Sequence, residues 1–188
     1  MAKERQFPYE ERGGSMSKVK KLVISALCLA LCLVLPFLTG QIPQIGQMLS
    51  PMHIPAFLCG FLAGAPYGAV VGFIAPLLRF AMFQMPPMPT ALTMAFELAA
   101  YGFLAGFLYR RLPKSLPMLY VALILAMLGG RIIWGIASYV ILGVSGGSFT
   151  VSLFLAGGFI NAIPAIILHI VIVPPLVRLV QKALNMAD

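Results

Sequence analysis

Apolar runs of membrane-spanning length, separated by short polar or Gly/Pro-rich breaks, set the pattern of this chain. The first run covers residues 19–38, and an uncharged stretch rich in Gly, Pro and Gln follows over residues 39–50. A short second run, 52–63, leads through a Gly-Ala-Pro-Tyr turn at 64–67 into a third run ending near Phe83. Three prolines between Gln84 and Pro89 break the chain again, because proline lacks the donor that continues a helix. The fourth run is 90–109, the fifth 116–142 and the sixth 149–177, with a Gly/Ser loop at 143–148 before the last. The pattern predicts an all-α integral membrane protein, a bundle of six transmembrane helices. The second run falls short of the ~20 residues that cross a bilayer, so it is expected to tilt, to be capped by the polar loop, or to sink partly into the bundle. The sixth is longer than needed and is expected to tilt, to run beyond the bilayer or to kink at Pro164.

Composition sharpens this picture. Hydrophobic residues make up 61% of the chain and charged ones 10%, against roughly a quarter charged in soluble domains. The net charge of +8 sits in short blocks beside the apolar runs, with no basic patch interleaved with aromatics, which excludes a nucleic-acid binder. Lys18, Lys20 and Lys21 precede the first run, Arg110, Arg111 and Lys114 join the fourth to the fifth, and Arg178 and Lys182 end the sixth. With six spans these blocks share one side, and the three loops of the other side carry no charge. Positively charged loops stay inside, so both termini are expected to be cytoplasmic. Residues 1–17 read as a disordered cytoplasmic leader with a second candidate start at Met16, residues 18–182 as one membrane domain, and residues 183–188 as a cytoplasmic tail. The first run is too long for a signal-peptide core and no cleavage pattern follows it, so it reads as a retained helix.

Small residues recur at helical spacing. Gly60, Gly64, Gly68 and Gly72 lie four apart, as do Gly102 and Gly106; this pattern lets helices approach closely inside a bundle. Ala26 and Ala30 share a face of the first helix, which is free to dock a partner. Cys28, Cys32 and Cys59 read as small packing residues without metal-ligand spacing.

An ionisable group inside a membrane is a functional candidate by default. Arg79, Glu97 and Arg131 qualify. A rise of about 1.5 Å per residue puts them roughly 6, 10 and 16 Å from the outer end of their spans. Trp134 and Ser138 share the face of Arg131, with Tyr139 beside it; Asn161 and His53 stand in the same half of the membrane. This mixture suits a small-solute site within apolar walls. Either the arginines bind the solute, or Glu97 pairs with Arg79 or Arg131 simply to hold the bundle together. Even then one arginine keeps no acidic partner, which favours a solute bearing carboxylate or phosphate, unless Arg79 instead snorkels to the interface. His169 is expected to bond a backbone carbonyl. His53 and His169 are placed at opposite ends of the membrane, so no metal site is expected, and no cofactor motif occurs.

The chain contains no Gly-rich phosphate loop with its Lys-Ser/Thr end, so it cannot hydrolyse ATP itself. It also lacks a nucleophile elbow. Three readings follow: a solute-binding subunit energised by other proteins, a self-sufficient secondary transporter or small channel, and a small membrane enzyme with Glu97 as base. One embedded carboxylate is thin provision for the last two.

Residues 49–79 and 89–109, with Met-Ala-Phe-Glu-Leu-Ala-Ala-Tyr-Gly at the centre of the second stretch, resemble the substrate-binding S components of energy-coupling factor (ECF) transporters, and the resemblance extends over residues 19–180. It implies a bacterial plasma-membrane protein with six helices, an outward pocket, and a gating loop after the first helix. It also implies partners: a transmembrane coupling subunit, contacted through the Ala-x-x-x-Ala face at Ala26 and Ala30, and two ATPases. Riboflavin, thiamin, biotin, folate, pantothenate and pyridoxine are substrates in the family. The second-run motif is most similar to pantothenate-type members, which makes pantothenate the first candidate.

Overall fold

The computed structural model describes residues 16–39, 42–144 and 147–185. All regular structure among them is helical. Five helical segments are long and apolar enough to cross a membrane: Lys18–Thr39, Ala65–Phe83, Met88–Arg111, Leu116–Val144 and Val151–Ala183. A sixth, His53–Ala63, is apolar but shorter.

Helix α1 (Lys18–Val34) starts where the Ser17 side chain accepts the Lys20 amide, a standard N-cap. Ser17 therefore belongs to the helix start, while residues 1–15 of the expected leader lie outside the described residues. Pro36 ends the α-helical ladder, since it offers no N–H to Cys32, and the chain tightens into a 3₁₀ turn over Leu35–Thr39. The uncharged 39–50 stretch is not simply a loop. It contains helix α2 (Pro43–Leu49), begun by proline in its first turn and ended at Ser50 with φ 44°. Gly40 and Gln41 lie outside the described residues.

Helix α3 (His53–Ala63) is buried along all eleven residues. Its length of about 16 Å is half the ~30 Å hydrocarbon layer. α1, α5, α8 and helix α4 (Ala65–Phe83) pack around it, so it never meets lipid and has no need of full length. Gly64 alone makes the α3–α4 turn, at φ +104°, a conformation open to glycine. The expected Gly-Ala-Pro-Tyr turn is thus shorter: Ala65, Pro66 and Tyr67 already form the first turn of α4, where proline is tolerated.

Helix α5 (Met88–Arg111) packs closely on α4. At the crossing a Cβ on Gly68 would stand 2.6 Å from the Gly102 carbonyl oxygen and 2.7 Å from Gly60 Cα. The glycine ladder is therefore an internal contact of α3, α4 and α5. Helix α6 (Leu116–Val144) packs on α5 and extends through Gly143; Ser145 and Gly146 lie outside the described residues.

The last run is not one helix. A short α7 (Val151–Leu155) passes into a π-helical turn, Ala156–Ile160, and a new helix α8 (Ile163–Ala183) begins beyond it. The break lies at the π turn, and Pro164 serves the first turn of α8 rather than kinking a continuous helix. Exposed Leu, Ile and Val residues cover α1, the outer faces of α6 and α8, and α7, as lipid contact requires. The Arg178 guanidinium donates to the Lys114 carbonyl at 2.6 Å. Two of the basic blocks thus stand at one end of the bundle.

Candidate functional site

The short α3 leaves room above its N-terminus. A cavity of about 400 Å³ opens there, lined by residues from the segment after α1, the start of α3, and α4, α5, α6 and the π turn. Pro36, Met52, Met85, Pro86, Pro87 and Met94 supply apolar wall; Thr39, Ser50 and Thr90 add polar groups. The N-terminal end of α3, whose helix dipole is positive, lies at this space, with the His53 amide bonded to the Ser50 carbonyl at 3.0 Å.

Six residues singled out from the sequence line the cavity: His53, Arg79, Glu97, Arg131, Trp134 and Asn161. Ser138 does not. It is buried two turns further along α6 than Arg131, off the cavity wall. Tyr139 is exposed on the outer face.

Glu97 is 2% exposed and accepts from Arg131 Nη1 at 2.7 Å and from the Tyr101 hydroxyl at 2.9 Å. Of the two arginines considered as its partner, Arg131 is the one in place. Tyr101 lies four residues after Glu97 on the same face of α5, the spacing at which helical side chains meet; that spacing was available in the sequence and went unread.

Arg79 is also buried, at 2% exposure. Its Nη1 donates to the Leu33 carbonyl. With three-residue spacing after Val34, the group due to bond that carbonyl is the nitrogen of Pro36, which has no hydrogen. The guanidinium fills the gap, and its carbon lies 4.8 Å from the Phe37 ring centroid and 5.2 Å from that of Phe83. Among the described residues Arg79 has no acidic partner. The cavity lining thus carries two arginines against one carboxylate.

The histidines require a correction. His53 and His169 are not at opposite ends; their rings stack with centroids 5.6 Å apart. His53 was expected at the outer entrance of its span, but α3 covers only about half the membrane thickness, so its first residue lies deep in the bundle. The π turn and the restart at Ile163 place α8 so that His169, six residues in, is level with the start of the buried α3. His169 Nε2 does bond a backbone carbonyl, that of Ser50, at 3.3 Å. Among the described residues no group of three His, Cys, Asp or Glu side chains is arranged for a metal.

His53 is 3% exposed, and neither ring nitrogen has a hydrogen-bond partner. Its Nε2 stands 3.7 Å from Glu97 Oε1, too far for a hydrogen bond. A buried polar group left so costs about 1–3 kcal/mol.

Trp134 forms a side wall. Its ring lies against the π turn, where a Cβ on Gly157 would come within 2.9 Å of it. Phe149 and Phe154 flank it with centroids at 5.7 and 6.2 Å. Asn161, just after the turn, is exposed at the cavity edge. A π turn is rare in helical sequence and often marks a functional position. No pattern in the sequence announced it.

On the far side of α1, Ala26 and Ala30 are exposed between Leu22, Leu27 and Leu31. Cys28 and Cys32 face inward instead, and Cys32 Sγ donates to the Met52 carbonyl at 3.5 Å.

No curated protein matches this chain. A family model described as "ECF transporter, substrate-specific component" matches residues 20–177, a span that reaches into all five long helices and contains the cavity and the paired Glu97 and Arg131. The chain belongs to the substrate-specific components of ECF transporters.

Proposed function

We propose that the cavity above α3 is the solute site of an ATP-driven importer for a small water-soluble vitamin or vitamin precursor. The observation that carries this reading is the convergence of His53, Arg79, Glu97, Arg131, Trp134 and Asn161 on one cavity in a substrate-specific component. Fully apolar packing would suffice to fold a bundle; a polar set around open volume is what a solute needs. The excess of arginine over carboxylate favours an acidic solute, and pantothenate is the first candidate.

The chain captures the solute and does not drive its passage. A membrane coupling subunit and two ATPases supply the energy, and the exposed Ala26–Ala30 face of α1 is the docking surface for the coupling subunit. The cavity faces outward, and the basic end with Arg110, Lys114 and Arg178 faces the cytoplasm of a bacterial plasma membrane, as do both termini.

A thermal-shift screen of the purified chain against riboflavin, thiamin, biotin, folate, pantothenate and pyridoxine tests the capture step. A ligand at a hundred times its Kd adds about 2.7 kcal/mol to the folded state, a shift of several degrees. Liposomes test the division of labour: uptake is expected only when coupling subunit and ATPases are present. Uptake by this chain alone would make it a self-sufficient transporter and overturn the reading.

Ala26→Leu and Ala30→Leu should leave vitamin binding unchanged while reducing uptake by the assembled transporter at least tenfold. Loss of binding in these variants would instead make the two positions part of the fold.

A further inference from the structure

The hydrogen-bonding capacity of His53 is unused by the protein, and its neighbours explain why. The Tyr101 hydroxyl and Arg131 Nη1 are both committed to Glu97, and His169 Nε2 is committed to the Ser50 carbonyl. His53 contacts Tyr101 and His169 only through ring faces, at centroid distances of 5.3 and 5.6 Å. Both nitrogens are buried without a partner, in a residue that lines the cavity beside Glu97.

The charge of the floor decides what fits there. Glu97 stands 3.7 Å from His53 Nε2 and is paired with Arg131 at 2.7 Å, so the floor carries no net charge. An anion or a cation placed at His53 would be buried there without a counter-charge of its own. An uncharged group meets no such penalty. Imidazole offers one donor and one acceptor when neutral, and a hydroxyl or an amide can answer either. The acid group of a solute belongs elsewhere, at Arg79, the cavity cation without an acidic partner among the described residues.

We infer that the solute is two-ended, with a carboxylate held at Arg79 and an uncharged hydroxyl or amide hydrogen-bonded to His53 at the cavity floor. The inference rests on the reading of this cavity as the solute site. It makes His53 a specificity-determining residue and separates the two recognition tasks between α3 and α4.

The probes are pantothenate, biotin and folate, each with an acid and with uncharged hydrogen-bonding groups, together with the primary alcohols that replace each acid. Affinities are measured by titration calorimetry on the full chain. The wild type is expected to bind at least one acid and to prefer it over its alcohol by about thirtyfold or more, since a charged hydrogen-bonded pair is lost in the alcohol. Arg79→Gln should shrink that preference to within about threefold. His53→Leu should weaken acid and alcohol alike, each by about tenfold, so that the preference survives. Leucine also removes a buried unpaired polar group, so the melting point without ligand should hold or rise. His53→Ala is a second variant at the same position should leucine not fit. The two-ended assignment is overturned if none of the three acids binds, if the alcohol binds as well as the acid, if His53 variants keep full affinity, or if they weaken the acid alone. None of these results touches the transport reading, which the liposome uptake decides separately.

Discussion

Replacing Gly102 with leucine is expected to abolish folded protein. A Cβ at this position would sit 2.3 Å from the Gly68 carbonyl oxygen and 2.4 Å from its carbon. Both are backbone atoms of α4, and they cannot turn aside as a side chain can. The helices would have to separate, and α4–α5 is the most extensive helix pair in the bundle. Packing rather than water drives helix association in lipid, so the lost contact has no hydrophobic term to replace it. The expected readout is a loss of monodisperse protein after detergent extraction. Gly129→Ala is the control. Its Cβ would approach only Leu104 Cδ1, at 2.4 Å, the far end of a flexible side chain, and its melting point should stay within a few degrees of the wild type. Equal behaviour of the two variants would show that the α4–α5 crossing is looser than described.

Arg131→Ala should have the second large effect, on stability and on binding together. It leaves the Glu97 carboxylate buried with only the Tyr101 hydroxyl as donor partner. Breaking a buried pair from one side costs about 3–5 kcal/mol. The double variant Arg131→Ala/Glu97→Ala removes both charges and should recover much of the melting point, because a missing pair is better tolerated than half of one. Binding of an acidic vitamin should stay weak in both. Unchanged affinity in the single variant would remove Arg131 from the site. Recovery of stability without recovery of binding would separate the pair's role in the fold from its role in capture.

Much of the fold was legible because its signals are local. Apolar length located the first five segments within a few residues, though α8 runs six residues beyond the expected end of the last, and sinking into the bundle was one of the alternatives that the short second segment offered. The glycine ladder pointed to close crossings, which is where Gly60, Gly68, Gly72 and Gly102 stand. The last segment was misread because a π turn has no sequence signature. Here the Gly157–Gly158 pair weakens a helix locally, but a glycine pair does not by itself specify a π turn. The depth at which the short α3 begins was not legible either, and with it the meeting of His53 and His169.

The site was legible as a set of residues and not as an arrangement. Polar groups inside apolar runs stand out, so His53, Arg79, Glu97, Arg131, Trp134 and Asn161 could be named without a structure. Ser138 was included because it shares a helix face with Arg131; sharing a face does not mean sharing a depth, and two helical turns carry it about 10 Å away.

The sequence by itself determined the membrane class, the family, the apolar segments and the inventory of polar groups available to a solute. Each of these depends on the composition of a contiguous stretch, or on the 3.6-residue repeat, which a linear reading captures. Only the tertiary structure decided that Arg131 rather than Arg79 holds Glu97 across 34 residues of chain, and that Arg79 completes the ladder broken by Pro36. It also decided that His53 lines the cavity with no hydrogen-bond partner on either buried nitrogen. Those outcomes depend on how far each helix is rotated and displaced along its axis relative to its neighbours. Close glycine crossings and the π turn set these offsets, and no periodicity within a single helix encodes them.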